Sequence, residues 1–393
     1  MELYQGAILA ALVFLASLIS VEIGLSAAII EITLGVVGGN FLGLEQVEWV
    51  RYIAAFGGVL LTFMAGAEVD LGAMRANARE NVLIGGLSFL APFLGTMLVC
   101  GAWLQWDWRA AQLAGIALST TSLAVVYAVL VETGLTATRI GKIIMASTFI
   151  TDFGTAAGLS LLFMSPGLPT LWFALVSIGI VGTAPWFAPW FFRRYGSRVI
   201  EPEIKLLFLL LLVLMYFAQR GASHAILPAF VLGLVLSPVF HENRELPRKL
   251  RVVAFAFITP IFFVNGGINI SLPLLWANGG LFAILLGVKL VTKFIGVYPV
   301  SRILIPREAS YTTLLMSTGL TMGTISAMFG YQAGIISQAQ FSVLVAVVVT
   351  SAILPTFIAQ RFFHPHHAFE AMGGEVEPAS PGKGLAERHL EGS

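Results

Sequence analysis

Asp152 is the residue with the most chemistry to explain. It stands in Ser147-Thr148-Phe149-Ile150-Thr151-Asp152-Phe153-Gly154, thirteen residues after Arg139 in an otherwise apolar block. At about 1.5 Å per helical residue that is near the middle of a bilayer. Ionisable groups at that depth cost about 2.5–3.5 kcal/mol on insertion scales, which makes each one a functional candidate. A carboxylate there can hold a proton from one side and release it to admit a hard cation, which takes oxygen ligands. The competing reading is a carboxylate that caps a broken helix or stays paired with a lysine, although no helix start lies nearby. Two lysines are equally deep. Lys293 lies nine residues before Arg302, and Lys289 is one turn away on the same face. A buried ammonium needs a partner, and Asp152 is the best carboxylate at comparable depth. For Lys293 a functional or pairing role is expected over snorkelling to the interface. For Lys289 both stay open, since its stem can reach a cavity or another acid.

Mid-block hydroxyls form a second set. Ser119-Thr120-Thr121-Ser122 and Ser317-Thr318, with Thr321, Thr324, Gly319 and Gly323, fit locally unwound helices whose freed backbone groups make a polar centre. Ordinary close packing through small residues explains such strings too. Glu31, Glu68 and Asp70 lie nearer block ends, where they serve as path residues or as partners for arginines. Trp103, Trp106, Trp108, Trp186 and Trp190 fall at block ends, as interfacial anchors do. His364, His366 and His367 lack a second ligand set and read as a solvated tail. No nucleotide-binding glycine loop, G-x-S-x-G or H-E-x-x-H string occurs, nor a nucleophile–base pair, so an enzyme is not expected.

The elements that position these residues are membrane helices. Of 393 residues 58% are hydrophobic and 11% charged, where soluble domains run at about 25% charged. Net charge is +1 with no basic region, which argues against nucleic acid as a partner. The single cysteine, Cys100, excludes a disulfide framework. Apolar blocks predict an all-α polytopic protein with about thirteen spans: 5–22, 24–43, 52–72, 79–105, 109–132, 139–164, 168–193, 203–220, 223–239, 250–270, 277–302, 308–331 and 337–362. With the N-terminus outside, seventeen basic residues fall in inner loops and the tail, and only Arg51, Arg109 and Arg220 fall in outer loops. That asymmetry predicts N-out, C-in. Residues 1–362 then form the membrane domain, and 363–393, rich in Gly, Pro and Glu, a disordered cytoplasmic tail.

The chain also echoes itself at a shift of about 198 residues. Ser26–Phe41 falls on Ser223–Phe240, with Gly35 on Gly233; Phe63-Met64-Ala65-Gly66 parallels Phe263-Val264-Asn265-Gly266; Leu118–Thr121 lies near Leu315–Thr318. A displacement of seven spans is odd, so the copies, about 5–164 and 203–362, would be inverted. Inverted repeats with a site at their interface are a transporter architecture.

In this order the strings are familiar. Glu31-Ile32-Thr33-Leu34-Gly35, Phe63-Met64-Ala65-Gly66-Ala67-Glu68-Val69-Asp70-Leu71, Thr121-Ser122, Leu130-Val131-Glu132-Thr133-Gly134-Leu135, Thr151-Asp152, Lys293-Phe294-Ile295-Gly296 and Met316-Ser317-Thr318-Gly319 resemble the bacterial monovalent cation:proton antiporter-2 family over residues 5–362. The resemblance implies an NhaA-like fold with two discontinuous crossing helices. It also implies core helices at about 79–164 and 277–362, a scaffold that makes a homodimer, and a place in the bacterial inner membrane. By the same resemblance Asp152 is the cation- and proton-binding carboxylate, Thr121-Ser122 the first broken helix, and Lys293 the core lysine. Electrogenic members carry two aspartates where this chain has Thr151-Asp152, so Lys293 lacks its usual partner and is expected to pair with Asp152 directly.

The expected activity is sodium (or lithium)/proton antiport by alternating access, with no cofactor. Cation and proton would compete for Asp152, assisted by Thr121, Ser122 and Thr151, with Lys289, Ser317, Thr318 and Glu68 as accessories. Potassium/proton antiport and sodium-coupled symport of an organic anion are the alternatives. One deep carboxylate favours one-for-one electroneutral exchange; two protons per cation follows if Lys293 also releases one.

Overall fold

The computed structural model describes residues 2–363 apart from positions 24, 25, 137, 165, 166, 197, 222, 223, 243 and 244. The predicted tail, with its histidines, lies outside the described residues except for Phe363. Among the described residues the chain is all helix and turn, with no strand. In order come α1 (Glu2–Ile23), α2 (Ala27–Phe41), α3 (Glu48–Ala67), a short α4 (Leu71–Ala76), and α5 (Ala78–Leu98) extended by a π-helical turn at Val99–Trp103. Next are α6 (Trp108–Ser119), α7 (Leu123–Glu132), α8 (Arg139–Leu162), α9 (Leu168–Tyr195), α10 (Pro202–Arg220) and α11 (Ile226–Glu242). A second π turn, Ala254–Ile258, joins α12 (Glu245–Val253) to α13 (Thr259–Ile268). The chain ends with α14 (Leu272–Ala277), α15 (Gly279–Leu304), α16 (Ala309–Met316), α17 (Thr321–Gln332) and α18 (Gln338–Phe362).

Ten segments among the described residues are long and apolar enough to cross a membrane. Of the other three predicted spans, two are the shorter apolar helices α2 and α11, and 308–331 is interrupted between α16 and α17. The polypeptide is a multi-pass membrane protein. Its apolar side chains face outward as well as inward: Trp172, Trp186, Ile178 and Leu175 on α9 are all exposed, where lipid rather than water would cover them.

Polar chemistry sets the helix ends. Asp107 Oδ2 accepts from Arg109 N at the start of α6, Thr138 caps α8, and Ser337 with Gln340 forms a capping box on α18. The third predicted span, 52–72, is misplaced at both ends. α3 starts at Glu48, whose carboxylate suits the positive end of a helix, and it stops at Ala67 with Glu68 as C-cap. Glu68 and Asp70 therefore lie past the helix, not within it.

Two crossings bring backbones into direct contact. A Cβ on Gly66 of α3 would strike the Phe230 carbonyl of α11, and one on Gly233 of α11 would strike the Phe63 carbonyl of α3. The pair α2–α13 repeats the device: Gly35 faces the Val264 carbonyl and Gly267 the Ile32 carbonyl. Only glycine permits either approach. Elsewhere α5 packs on α6, α8 and α15, while α17 packs on α6 and α18, and α16 on α15 and α18. A cavity of about 240 Å³ opens between α3, α10, α13 and α17, lined among others by Gly58, Met215, Gln219, His224, Phe262 and Ile325.

Candidate functional site

The site begins with two interrupted helices. At the end of α6, Ser119 Oγ donates to Ile116 O (2.8 Å) and Thr120 Oγ1 to Ala117 O (3.2 Å). These local bonds compete with helix continuation. Thr120 then turns extended, and Ser122 restarts the chain as N-cap of α7, accepting from Val125 N. The second interruption uses the same residue types. Ser317 Oγ donates to Thr313 O (2.7 Å) and Thr318 Oγ1 to Leu315 O (2.7 Å), before Gly319 and Leu320 lead into α17.

Each break satisfies groups the other sets free. Thr121 Oγ1 donates to Met316 O at 2.9 Å, and Ser122 N donates to Thr318 Oγ1 at 3.4 Å. Unwound backbone is tolerated at membrane depth only when its polar groups find such partners. Of the predicted accessories, Thr318 thus joins the two breaks directly, whereas Ser317 turns back on its own helix.

Glycines then set α5 between α8 and α15. A Cβ on Gly85 would lie 2.6 Å from Ser147 O of α8, and one on Gly296 would lie 2.8 Å from Leu87 O of α5. This brings Lys293 of α15 to the first break, where Nζ donates to Ser88 Oγ at 2.8 Å and to Thr121 Oγ1 at 3.0 Å. The expected pairing of Lys293 with Asp152 is not what the structure contains: among the described residues neither lysine forms an ion pair with Asp152. The hydroxyls of α5 and of the break take the ammonium instead. Lys293 and Asp152 remain within electrostatic reach of each other.

Asp152 is 2% exposed, and its Oδ1 is buried without a hydrogen-bond partner. Beside it, Thr151 Oγ1 donates to Thr148 O (2.7 Å) and keeps its lone pairs. Lys289 is fully buried and its Nζ likewise has no hydrogen bond. Glu68, read either as a path residue or as a partner for an arginine, accepts from Arg251 Nη2 at 2.6 Å, and it too lies within electrostatic reach of Asp152. Glu31 is buried on α2, which packs on α1 and α13. Ser88 escaped the sequence reading. Its one signal is a hydroxyl following Gly85-Gly86-Leu87, in register with the glycine that meets α8.

A buried carboxylate with an open oxygen, a lysine held by hydroxyls, and two abutting helix breaks make an oxygen-rich centre suited to a small cation or a proton. Residues 8–363 match the family described as sodium/hydrogen exchanger, transmembrane. The chain belongs to that family. This exchanger is thus a transmembrane ion transporter and not an enzyme; the antiporter-2 subgroup is narrower than the match. It is 26% identical over 354 residues to the probable Na(+)/H(+) antiporter 3 of Methanocaldococcus jannaschii, covering 86% of this chain and 89% of the relative. It is 23% identical over 378 residues to the Na(+)/H(+)-K(+) antiporter GerN of Bacillus cereus, covering 91% and 95%. The exchanger's fold is similar to the structure of the sodium proton antiporter MjNhaP1 from Methanocaldococcus jannaschii at pH 8, with a TM-score of 0.63, 14% identity, and coverage of 95% of this chain and 100% of that one.

Proposed function

We propose that this exchanger is a sodium (or lithium)/proton antiporter in which cation and proton compete for Asp152. The observation that carries the reading is the buried, unpartnered Oδ1 of Asp152, one turn along α8 from Thr148, whose hydroxyl reaches Met316 at the second helix break, in a chain of this family. Ionised Asp152 takes the cation, with lone pairs from Thr121, Ser122 and Thr151 completing its oxygen shell. Protonation of Asp152 releases it. Thr121 is shared: its oxygen accepts from Lys293, so a cation that claims this oxygen must loosen the lysine. One carboxylate serving both ions gives one-for-one exchange, and the site carries the same charge in both loaded states. That equality lowers the cost of carrying it across a low-dielectric barrier.

The reciprocal glycine contacts support inverted repeats, because a shift of 198 residues lays Gly35 on Gly233 and Ile32 on Phe230, and one of 201 lays Gly66 on Gly267 and Phe63 on Val264, which sets the α2–α13 crossing on the α11–α3 crossing. On that reading all thirteen segments cross the bilayer, N-terminus outside and C-terminus in the cytoplasm of a bacterial inner membrane. Helices 79–164 and 277–362 move as a core against a scaffold that forms a homodimer.

The test is cation-driven proton movement in proteoliposomes holding a pH gradient. Na⁺ or Li⁺ should dissipate the gradient saturably in the parent, and Asp152→Asn should abolish the response. The GerN name carries potassium beside sodium, so K⁺ is the third arm: a response to K⁺ alone changes the ion and keeps the site. A mutant that matches the parent overturns the role of Asp152.

A further inference from the structure

Lys289 and Lys293 lie one turn apart on α15, yet their ammonium groups serve different helix breaks. Lys293 sits against Thr121 of the first break. Lys289 Nζ fills the hollow over Gly319 in the second, where a Cβ on that glycine would collide with it. The same point lies 3.2 Å from Thr120 Oγ1 and 3.4 Å from Ser351 Oγ. Both hydroxyl protons are committed elsewhere: Thr120 donates to Ala117 O (3.2 Å) and Ser351 to Val348 O (2.7 Å). Each oxygen keeps lone pairs that a cation in the hollow can take. The helices ending at the breaks, α6 at Ser119 and α16 at Met316, add the partial negative charge of helix C-termini. The hollow is therefore lined for a cation, and a fully buried ammonium without a hydrogen bond occupies it.

We propose that the second helix break is a monovalent-cation seat that this chain fills with its own Lys289. An ammonium group is close to K⁺ in size, and the tether lets it hold the place a free ion would take. Gly319 is the residue that makes room for it. The consequence, which rests on the antiporter reading of Asp152, is a carrier limited to one exchangeable cation: the second seat is present but permanently occupied.

The experiment counts cations bound per chain by isothermal titration calorimetry. Na⁺, K⁺ and Rb⁺ are titrated into the purified full-length chain in detergent, for the parent, Asp152→Asn, Lys289→Ala and the double variant. The expected stoichiometries are about one, none, two and one, and adding Gly319→Leu to the double variant, which fills the hollow, should return it to none. Folded Lys289→Ala that binds one cation, with a double variant that binds none, overturns the proposal. If Asp152→Asn still binds one cation and the double variant binds two, the Asp152 reading fails while the second seat stands. Should Lys289→Ala not fold, Lys289→Ser leaves a hydroxyl at the mouth of the seat and is expected to bind two. A single site in folded Lys289→Ser, or failure of both variants to fold even with saturating Rb⁺, counts against the seat.

Discussion

Removing one oxygen, that of Thr121, tests the arrangement most directly. Thr121→Val keeps the side chain's shape and deletes a hydroxyl that accepts from Lys293 Nζ at 3.0 Å and donates to Met316 O at 2.9 Å. Bonds between membrane helices average about 0.6 kcal/mol in mutant cycles, so two of them set a lower bound of about 1.2 kcal/mol. At 1.4 kcal/mol per factor of ten, that is about sevenfold. The upper bound is larger, because a charge-assisted bond is worth about 1.5–3 kcal/mol and a buried carbonyl left without a donor costs about 1–3 kcal/mol. Together these come to about 2.5–6 kcal/mol, or about sixtyfold to twenty-thousandfold by the same conversion. Thr121→Ser preserves both bonds and should stay within a few-fold of the parent. The assay is Na⁺-driven proton movement in proteoliposomes across a range of Na⁺ concentrations. The predicted loss in kcat/KM for Thr121→Val is between about sevenfold and about twenty-thousandfold, with its thermal midpoint in detergent compared against that of Thr121→Ser. A Val variant within twofold of the parent would show that neither bond matters to the cycle. A Ser variant as impaired as the Val variant would refute the hydroxyl argument and assign the defect to packing.

Two further outcomes follow from the packing. Gly233→Ala drives a methyl group into the Phe63 carbonyl, a backbone atom that cannot rotate away, so a loss of about 1–3 kcal/mol is expected. Thermal unfolding in detergent should show it, while Gly182→Ala, with nothing near its Cβ, should match or slightly exceed the parent; equal midpoints for both variants would refute the crossing geometry. His224, in the connection before α11, rests edge-on against Phe329 with ring centroids 4.0 Å apart, and burial pushes its imidazole down from 6.5 to about 4. Between those values the unfolded chain binds the proton and the folded chain does not, so stability falls as pH drops from about 6.5 to about 4. His224→Gln should flatten that part of the melting-temperature profile, and identical slopes in parent and variant would remove His224 from the acid response.

Much of the architecture was legible because hydrophobic length is what a bilayer selects. The blocks at 168–193, 203–220 and 337–362 reappear within two or three residues as α9, α10 and α18. The interruptions were legible as well, since Ser119–Ser122 and Ser317–Gly319 carry hydroxyls that bond back to their own helices. What hydropathy does not encode is direction around a helix. A helix apolar on every side has no polar face to mark which way Ser88 points, and its partner Lys293 is 205 residues away. The misplaced pairing of Lys293 has the same origin. Depth along the membrane normal put Lys293 level with Asp152, but the choice between Asp152 and Thr121 depends on how α5, α8 and α15 are rotated. That rotation is set by Gly85 and Gly296, whose role emerges only from the atoms they meet.

The contacts are distributed in a way that bears on movement. Within the α3–α11 and α2–α13 crossings, backbone touches backbone through four glycines, and sliding either pair would drive carbonyl oxygens into Cα atoms. Around the breaks, hydroxyls, amides and carbonyls are mutually satisfied, and separating α6 from α16 would strand buried polar groups at a cost of about 1–3 kcal/mol each. Between these two sets the contacts are softer. Phe153 of α8 meets Phe230 of α11 with ring centroids 6.0 Å apart, and Leu227 N reaches Ser160 Oγ at 3.3 Å. The 240 Å³ cavity also lies on this boundary, between α17 and the α3, α10 and α13 side. Side-chain contacts can re-form after a shift, whereas interlocked backbones and satisfied breaks cannot be redrawn piecemeal. On the alternating-access cycle we propose, the least costly slip plane is the one between the helices that hold Asp152, Thr121 and Lys293 and those joined by the glycine crossings, with the site carried intact.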